Sequence, residues 1–274
     1  MATFYVLHPT STPPAAFLRI GHTGHQKLEA LHAANRFPYR RVVFDGAHIG
    51  HQDDLLHLLK SSGCEIVLDL NFAETAAPGR FSSAVSKLPW GSPGRPWLPS
   101  DFGPGRNADF LKLMAEFAVR AGVDAVFAPT HAIEDAGNAW HTVDLASCAH
   151  LRSELDRAGG SRIAIDFQLI TTARVLKDVQ QLARVTEGVA GLPVQNVWLR
   201  VSGFGATATG AGTRHIIEAA RGLHALGRRL VIDMAGGFAG LSVLAFGAVG
   251  GISHGVANSD GNSGAFGAVL GGRP

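Results

Sequence analysis

The stretch LVIDMAGGFAGLSVLAFGAVGGISHG, residues 230–255, decides the fold class. It opens with a short apolar run that stops at Asp233. Gly236 and Gly237 follow, then an uncharged apolar segment near 239–247, then Gly250 and Gly251 and a second short run, 250–253. Two continuous apolar runs joined by a helix-length segment form a strand–helix–strand unit, and continuous rather than alternating runs point to parallel strands covered on both faces.

The same unit recurs upstream. Candidate strands lie at 4–7, 41–45, 65–70, 124–128, 162–167, 196–201, 229–233 and 250–253, with helix candidates near 23–35, 52–62, 106–121, 143–158, 172–187, 213–226 and 239–247. In the third helix candidate Phe110, Leu113, Met114, Phe117 and Ala118 form one apolar stripe, with Arg106, Asp109 and Lys112 off it. The sixth carries Ile216, Ile217, Ala220, Leu223 and Leu226 and stops at Gly227, a natural residue after a helix C-terminus. Eight strands alternating with helices predict a (β/α)8 TIM-type barrel, and 274 residues suit that fold. The runner-up is an open doubly wound sheet.

The ends fit least well. The first strand candidate runs into a proline-rich stretch, residues 10–16. The last is followed by a glycine-rich tail, 256–274, too poor in helix formers for a good eighth helix, so that helix is expected to be incomplete or degenerate, or the chain truncated. The expected organisation is one barrel over 1–255 plus that tail. A missing helix would leave apolar strand surface uncovered and favour a homo-oligomer. One irregular segment, 78–104, holds six of the 13 prolines together with Phe81, Trp90, Trp97 and Phe102. Under the barrel reading it follows the third strand and rises over the mouth as a lid-like loop, with packing on the helices as its alternative.

Composition bounds the function. Hydrophobic residues make up 46% and charged residues 17%, so a large core is available and whole-chain disorder is excluded. The net charge of +2 is spread along the chain, against a duplex nucleic-acid binder. The two cysteines, Cys64 and Cys148, cannot build a disulfide framework, and no signal peptide or bilayer-length apolar run is evident, so a cytoplasmic protein without a membrane partner is expected.

Barrel sites lie at the carboxyl ends of the strands. Read strand by strand, those ends offer His8, Asp45 and His48, Asp69, Asn71 and Glu74, Thr130 and His131, Asp166 and Gln168, Arg200 and Ser202, Asp233, and Ser253 and His254. The strands are otherwise almost wholly apolar, and this asymmetry carries the functional reading. Some of these Asp residues are expected to be helix caps or turn residues instead. Asp69, His131, Asp166, Asp233 and His254 are the acid–base candidates, because such chemistry needs two groups whose environments split their pKa values. Arg200 offers a fork for an anion, and the loop after it, with Ser202, Gly203, Gly205, Gly210 and Gly212, is either an anion cradle or a mobile turn. Arg80, Lys87, Arg95 and Arg106, against the single acid Asp101, make the 78–104 region locally basic and suited to an anionic substrate.

On its paired glycines, residues 230–255 resemble the phosphate-binding (β/α)8-barrel superfamily, and more broadly bacterial proteins of barrel type. The resemblance implies that Gly236, Gly237, Gly250 and Gly251 bind phosphate through backbone amides, with close strand–helix packing as the alternative use of those glycines. The expected function is a barrel enzyme acting by acid–base chemistry on a phosphorylated or nucleotide-like small molecule, with cofactor unknown. The alternatives are an FMN-dependent oxidoreductase, a metal-dependent hydrolase and a non-catalytic barrel in a larger assembly. Metal ligation by His8, His131, His254 and Asp233, joined by Asp45, His48 and Glu74, lacks any His-x-His pair. The tetrapeptide His48–His51 matches the HIGH motif of class I aminoacyl-tRNA synthetases without its companion elements. Residues 251–255 match G-x-S-x-G, but no histidine follows the serine beyond His254 to complete the usual order.

Overall fold

The computed structural model describes residues 13–22, 24–77, 84–91, 94–205 and 208–255. The strands are β1 Ala15–Ile20, β2 Arg41–Asp45, β3 Glu65–Asp69, β4 Ala125–Phe127, β5 Ala132–Ile133, β6 Ala164–Thr171, β7 Asn196–Val201, β8 Arg229–Ile232 and β9 Gly251–Gly255. They run in the order β4-β3-β2-β1-β9-β8-β7-β6, all parallel, and β4 pairs β6 to close the ring. Two-residue β5 sits outside the ring against the far end of β6. The fold is therefore a closed (β/α)8 barrel.

The helices between the strands are α1 His25–Ala33, α2 Asp53–Ser61, the single turn α3 Phe72–Thr75, α4 Pro104–Ala121, α5 Ala139–Arg157, α6 Ala173–Lys177, α7 Val179–Ala190, α8 Gly210–Leu223 and α9 Gly237–Ala245. Local chemistry sets several boundaries. Asn138 accepts from the Trp140 amide to start α5, and Asp178 accepts from Gln180 and Gln181 to start α7, breaking the expected 172–187 helix in two. Thr209 caps α8, and Gly227, at φ 62, ends the turn that follows it. In α4 the buried residues are Leu111, Met114, Ala115 and Ala118, so the stripe is rotated from the expected one and leaves Leu113 partly exposed.

Two strands differ from the sequence reading in ways that move the site. The first barrel strand is Ala15–Ile20, immediately after Pro13-Pro14, where a connection was expected. Proline is tolerated at a strand entrance, because its missing N–H lies outside the ladder. The candidate strand 4–7 and His8 lie outside the described residues. β6 runs on to Thr171 rather than stopping at 167. The tail 256–274, with any eighth helix, and the 78–83 and 92–93 parts of the lid-like segment also lie outside the described residues.

The barrel interior is filled by Ala15, Phe17, Val43, Val67, Ala125, Phe127, Trp198 and Val231. Trp198 is its centre, with Phe17 at 4.5 Å and Phe127 at 4.8 Å, both edge to face. This apolar plug separates the two ends of the barrel. The described part of 78–104 packs as a wall rather than hanging free. Trp90 is fully buried and donates to the Leu70 carbonyl at 2.9 Å, and Trp97 donates to the Trp90 carbonyl at 3.2 Å. No helix among the described residues is long and apolar enough to cross a membrane.

Candidate functional site

Strand alternation points every second side chain inward. Above the Trp198 plug, those positions on neighbouring strands are polar: Arg19 on β1, Asp45 on β2, Asp69 on β3, Gln168 on β6, Arg200 on β7, Asp233 after β8 and Ser253 on β9. All but Asp45 are joined by hydrogen bonds into one cluster, and Asp45 stands beside it.

Arg19 is its hub. Its Nε and Nη2 donate to the two oxygens of Asp233 at 2.8 and 3.0 Å, and its Nη1 donates to Asp69 at 2.7 Å. Asp45 stands 3.9 Å from the same Nη1. Arg200 forks onto Asp233 through Nε and Nη2 at 2.9 and 2.6 Å. Gln168 adds a 3.2 Å bond, and the Ser253 hydroxyl donates to the other oxygen of Asp233. A buried carboxylate with two arginines and two neutral donors is satisfied on every side, which is the condition for holding charge away from water.

The environments push the pKa values of Asp233 and Asp45 apart. Burial opposes the charge on Asp233, but Arg19 and Arg200 outweigh it and hold that carboxyl below the usual range. Burial likewise opposes the charge on Arg19, and Asp233 and Asp69 overcome it to push its pKa up. Asp45 goes the other way. Burial first, then neighbouring Asp69 and Glu74, push it up to about 7, because Arg19 is already engaged elsewhere and compensates incompletely. Asp45 is also more open than Asp69 and Asp233, with 26% of its side chain exposed.

Backbone geometry marks the same place. Asn71 and Met234 are non-glycine residues at φ 54 and 57, close after Asp69 and Asp233 respectively. Left-handed backbone at such residues is uncommon and collects where function demands it. Asn71 uses the turn: its amide donates to Asp69 at 2.9 Å and its side-chain oxygen accepts from the Ala47 amide at 3.0 Å, tying the end of β3 to the loop after Asp45.

The sequence candidates divide. Asp69, Asp233 and Arg200 belong to the cluster. His131 sits in the mouth wall beyond β4, its ring 5.0 Å from that of Phe72. Gly236 caps α9 just beyond Asp233, and Gly237 begins that helix at φ 62. Asp166 does not join them. Because β6 is longer than expected, Asp166 lies low on the strand, opposite Phe127, where it accepts from Trp198 Nε1 at 2.7 Å and from Asn196 at 2.9 Å. Burial pushes it up to about 6 even so. His254 alternates with inward-facing Ser253 and so faces outward, where its Nε2 bonds the Tyr39 hydroxyl at 2.8 Å. Gly250 and Gly251 enter β9 at the amino end, the opposite end of the barrel from Gly236. A Cβ on Gly251 would stand 3.0 Å from the Ala15 carbonyl oxygen, so close packing explains it. The four glycines therefore cannot form one anion site.

Arg19 was missed because the first strand was sought upstream; its signal is a lone charge inside the apolar run AAFLRI. Asp45 stood among the strand ends but not among the acid–base candidates. The His48–His51 tetrapeptide forms a turn at the rim, with the His22 and His48 rings 5.5 Å apart. Burial, then His22 and His51, push His48 down. Among the described residues no group of three or more His, Cys, Asp or Glu is placed to hold a metal ion.

With this geometry in view, comparison with solved structures is informative about architecture. A GH18 chitinase from Pseudoalteromonas aurantia superposes with TM-score 0.54 at 14% identity, covering 94% of this chain and 99% of that one. The shared fold is the (β/α)8 barrel. An aldolase designated QR15 gives 0.51 at 8% identity over 94% and 92% of the two chains. A putative deoxyribose-phosphate aldolase from Coccidioides immitis gives 0.50 at 9% over 88% and 80%. At such identities the likeness is one of fold alone. No protein-family model and no curated protein sequence matches the chain.

Proposed function

We propose that the protein is a barrel enzyme performing general acid–base chemistry on a small phosphorylated or nucleotide-like molecule at the carboxyl end of the barrel. The observation that carries this reading is Asp45, a partly exposed carboxyl raised to about 7 beside a fixed network of opposite charges. A group near neutrality can both take and give a proton at physiological pH. Asp69 and Asp233 are engaged by Arg19 and Arg200, so their role is to position the arginines and set the field on Asp45 rather than to carry the proton. Arg200 keeps Nη1 without a partner among the described residues and its side chain is 19% exposed, which suits it to an incoming anion. The first amides of α9, opened by Gly236 and Gly237, face the same end and favour negative charge.

The test is a thermal-shift and calorimetric panel of sugar phosphates and nucleotides, each beside its dephosphorylated analogue. Phosphorylated compounds are expected to stabilise the wild type and to lose that effect in Arg200→Gln. Asp45→Asn is expected to keep binding and lose turnover of whichever compound binds. Equal stabilisation by the dephosphorylated analogues, or none by any phosphate, overturns the reading.

A further inference from the structure

The charge cluster leaves one buried titratable device unused. His131 follows β4 and is 2% exposed. Its Nδ1 lies 2.6 Å from Asp144 Oδ1, while Asp144 Oδ2 accepts the His131 backbone amide at 2.7 Å. Asp144, on α5, is itself buried, and burial pushes its carboxyl up against the pull of His131. The imidazole lies flat on Trp140, with centroids 3.5 Å apart and planes 17° from parallel, and meets the edges of Phe72 and Phe102 at 5.0 and 5.9 Å. Its other nitrogen, Nε2, is buried with no hydrogen-bond partner among the described residues, and so is Oγ1 of the adjacent Thr130.

A histidine that merely fills space need not have one nitrogen gripped by a buried carboxylate while the other is left open. The Asp144 contact fixes ring orientation and tautomer, leaving a lone pair on Nε2 inside an aromatic enclosure. A buried acceptor without a donor is costly, so the arrangement is complete only when a donor arrives. The enclosure adjoins the cluster through Phe72, which directly follows Asn71. Trp140, half-buried and stacked on the imidazole, is its solvent-side wall.

We propose that His131 Nε2 is the acceptor of a second polar subsite at the barrel mouth, taking a hydroxyl of the small molecule whose anionic part binds at Arg200, with Trp140 and Phe102 as the cover that opens to admit it. This rests on the reading of the mouth as an anion-binding acid–base site. His131 is the group that touches the substrate, and Asp144 is a positioning residue.

Diethyl pyrocarbonate acylates a bare imidazole nitrogen, and peptide mass spectrometry locates the product in the full chain. His131 is expected to react more slowly than exposed His57 in the wild type. Removing the cover by Trp140→Ala or, separately, Phe102→Ala is expected to speed it about ten-fold, because opening limits reaction at a buried atom. Asp144→Asn is expected to suppress it by reversing the tautomer. Glycerol 3-phosphate is expected to protect His131, and inorganic phosphate is not. An unreactive His131 in both uncovered variants, shown folded by circular dichroism, overturns the subsite, as does reactivity indifferent to Asp144→Asn. Equal protection by inorganic phosphate overturns the hydroxyl assignment. The acylation needs no ligand, so it stands or falls apart from the anion reading, whose failure appears as loss of phosphate-ester binding with His131 still reactive.

Discussion

Asp45→Asn is expected to stabilise the protein, and increasingly so as pH rises. The Asp45 side chain receives no hydrogen bond in the cluster, so the amide, which has the same shape, breaks nothing; its nearest charged contact is Arg19 at 3.9 Å. The folded carboxyl sits at about 7 against an ordinary 3.8. A raised folded-state pKa means the native protein binds the proton more tightly than the unfolded chain, so stability falls as pH rises between those values and levels off above the upper one. At about 1.4 kcal/mol per pH unit that interval sets a ceiling of about 4 kcal/mol for ionising Asp45 in place. Its neighbour Asp69 shares the field and the side chain is 26% open to water, so about 2 kcal/mol is the expected size at pH 8. Asparagine never ionises and escapes that cost. Urea titrations of wild type and variant at several pH values from 4 to 8.5 measure the difference, which should be near zero at pH 4 and grow through pH 7. A difference that is constant with pH, or that shrinks, would refute the assignment of a raised Asp45.

Three further outcomes follow from the geometry. Arg19→Met leaves Asp69 and the wholly buried Asp233 short of their main counter-charge, and a loss of about 3–5 kcal/mol in urea unfolding is expected; a loss under about 1 kcal/mol would show that Arg200 alone suffices. Asp166→Asn turns an amide toward the Trp198 and Asn196 donors and is expected to lose about 1–3 kcal/mol while leaving phosphate-ester binding unchanged, because Asp166 lies below the plug. Gly251→Ala forces a methyl to 3.0 Å from the Ala15 carbonyl and 3.2 Å from Val231, and a loss of about 1–3 kcal/mol is expected, again without effect on binding. For these last two, weakened binding at the mouth would contradict their placement at the other end.

The barrel was legible because parallel strands covered on both faces carry continuous apolar runs, and residues 42–44, 66–68 and 197–199 are such runs. The helix ends at Gly227 and Asp178 are written in capping chemistry, but an aspartate within an apolar-periodic run, as at Asp178, is harder to tell from a surface residue than a glycine at its end. Strand limits were harder, since an apolar run says where a strand exists but not where it stops. Reading β6 as ending at 167 places Asp166 at the barrel mouth rather than in its lower half, and grouping Gly250 and Gly251 with Gly236 and Gly237 sets the entrance of β9 at the wrong end of the barrel. In an α/β barrel the two ends differ in meaning, so an error of four residues changes a structural aspartate into a catalytic candidate.

Arg19 exposes a different limit. Charge is expected outside a core, so an arginine in AAFLRI argues against a buried strand when the segment is judged alone. What makes it tolerable is Asp233, 214 residues later, together with Asp69. No local pattern contains that pairing. Closure of the ring creates it, because β1 lies beside β9 and one strand from β8, and the upper inward position of each strand then faces one shared space. The same closure explains why Asp45 is raised. Two arginines meet Asp233, Asp69 and Asp45 there, with Glu74 nearby, and the hydrogen bonds give both arginines to Asp233 and the remaining arm of Arg19 to Asp69. Asp45 is left with burial and with Asp69 and Glu74 as like-charged neighbours, and its proton affinity is therefore a property of the count and order of groups around the ring rather than of any residue adjacent to it in the chain.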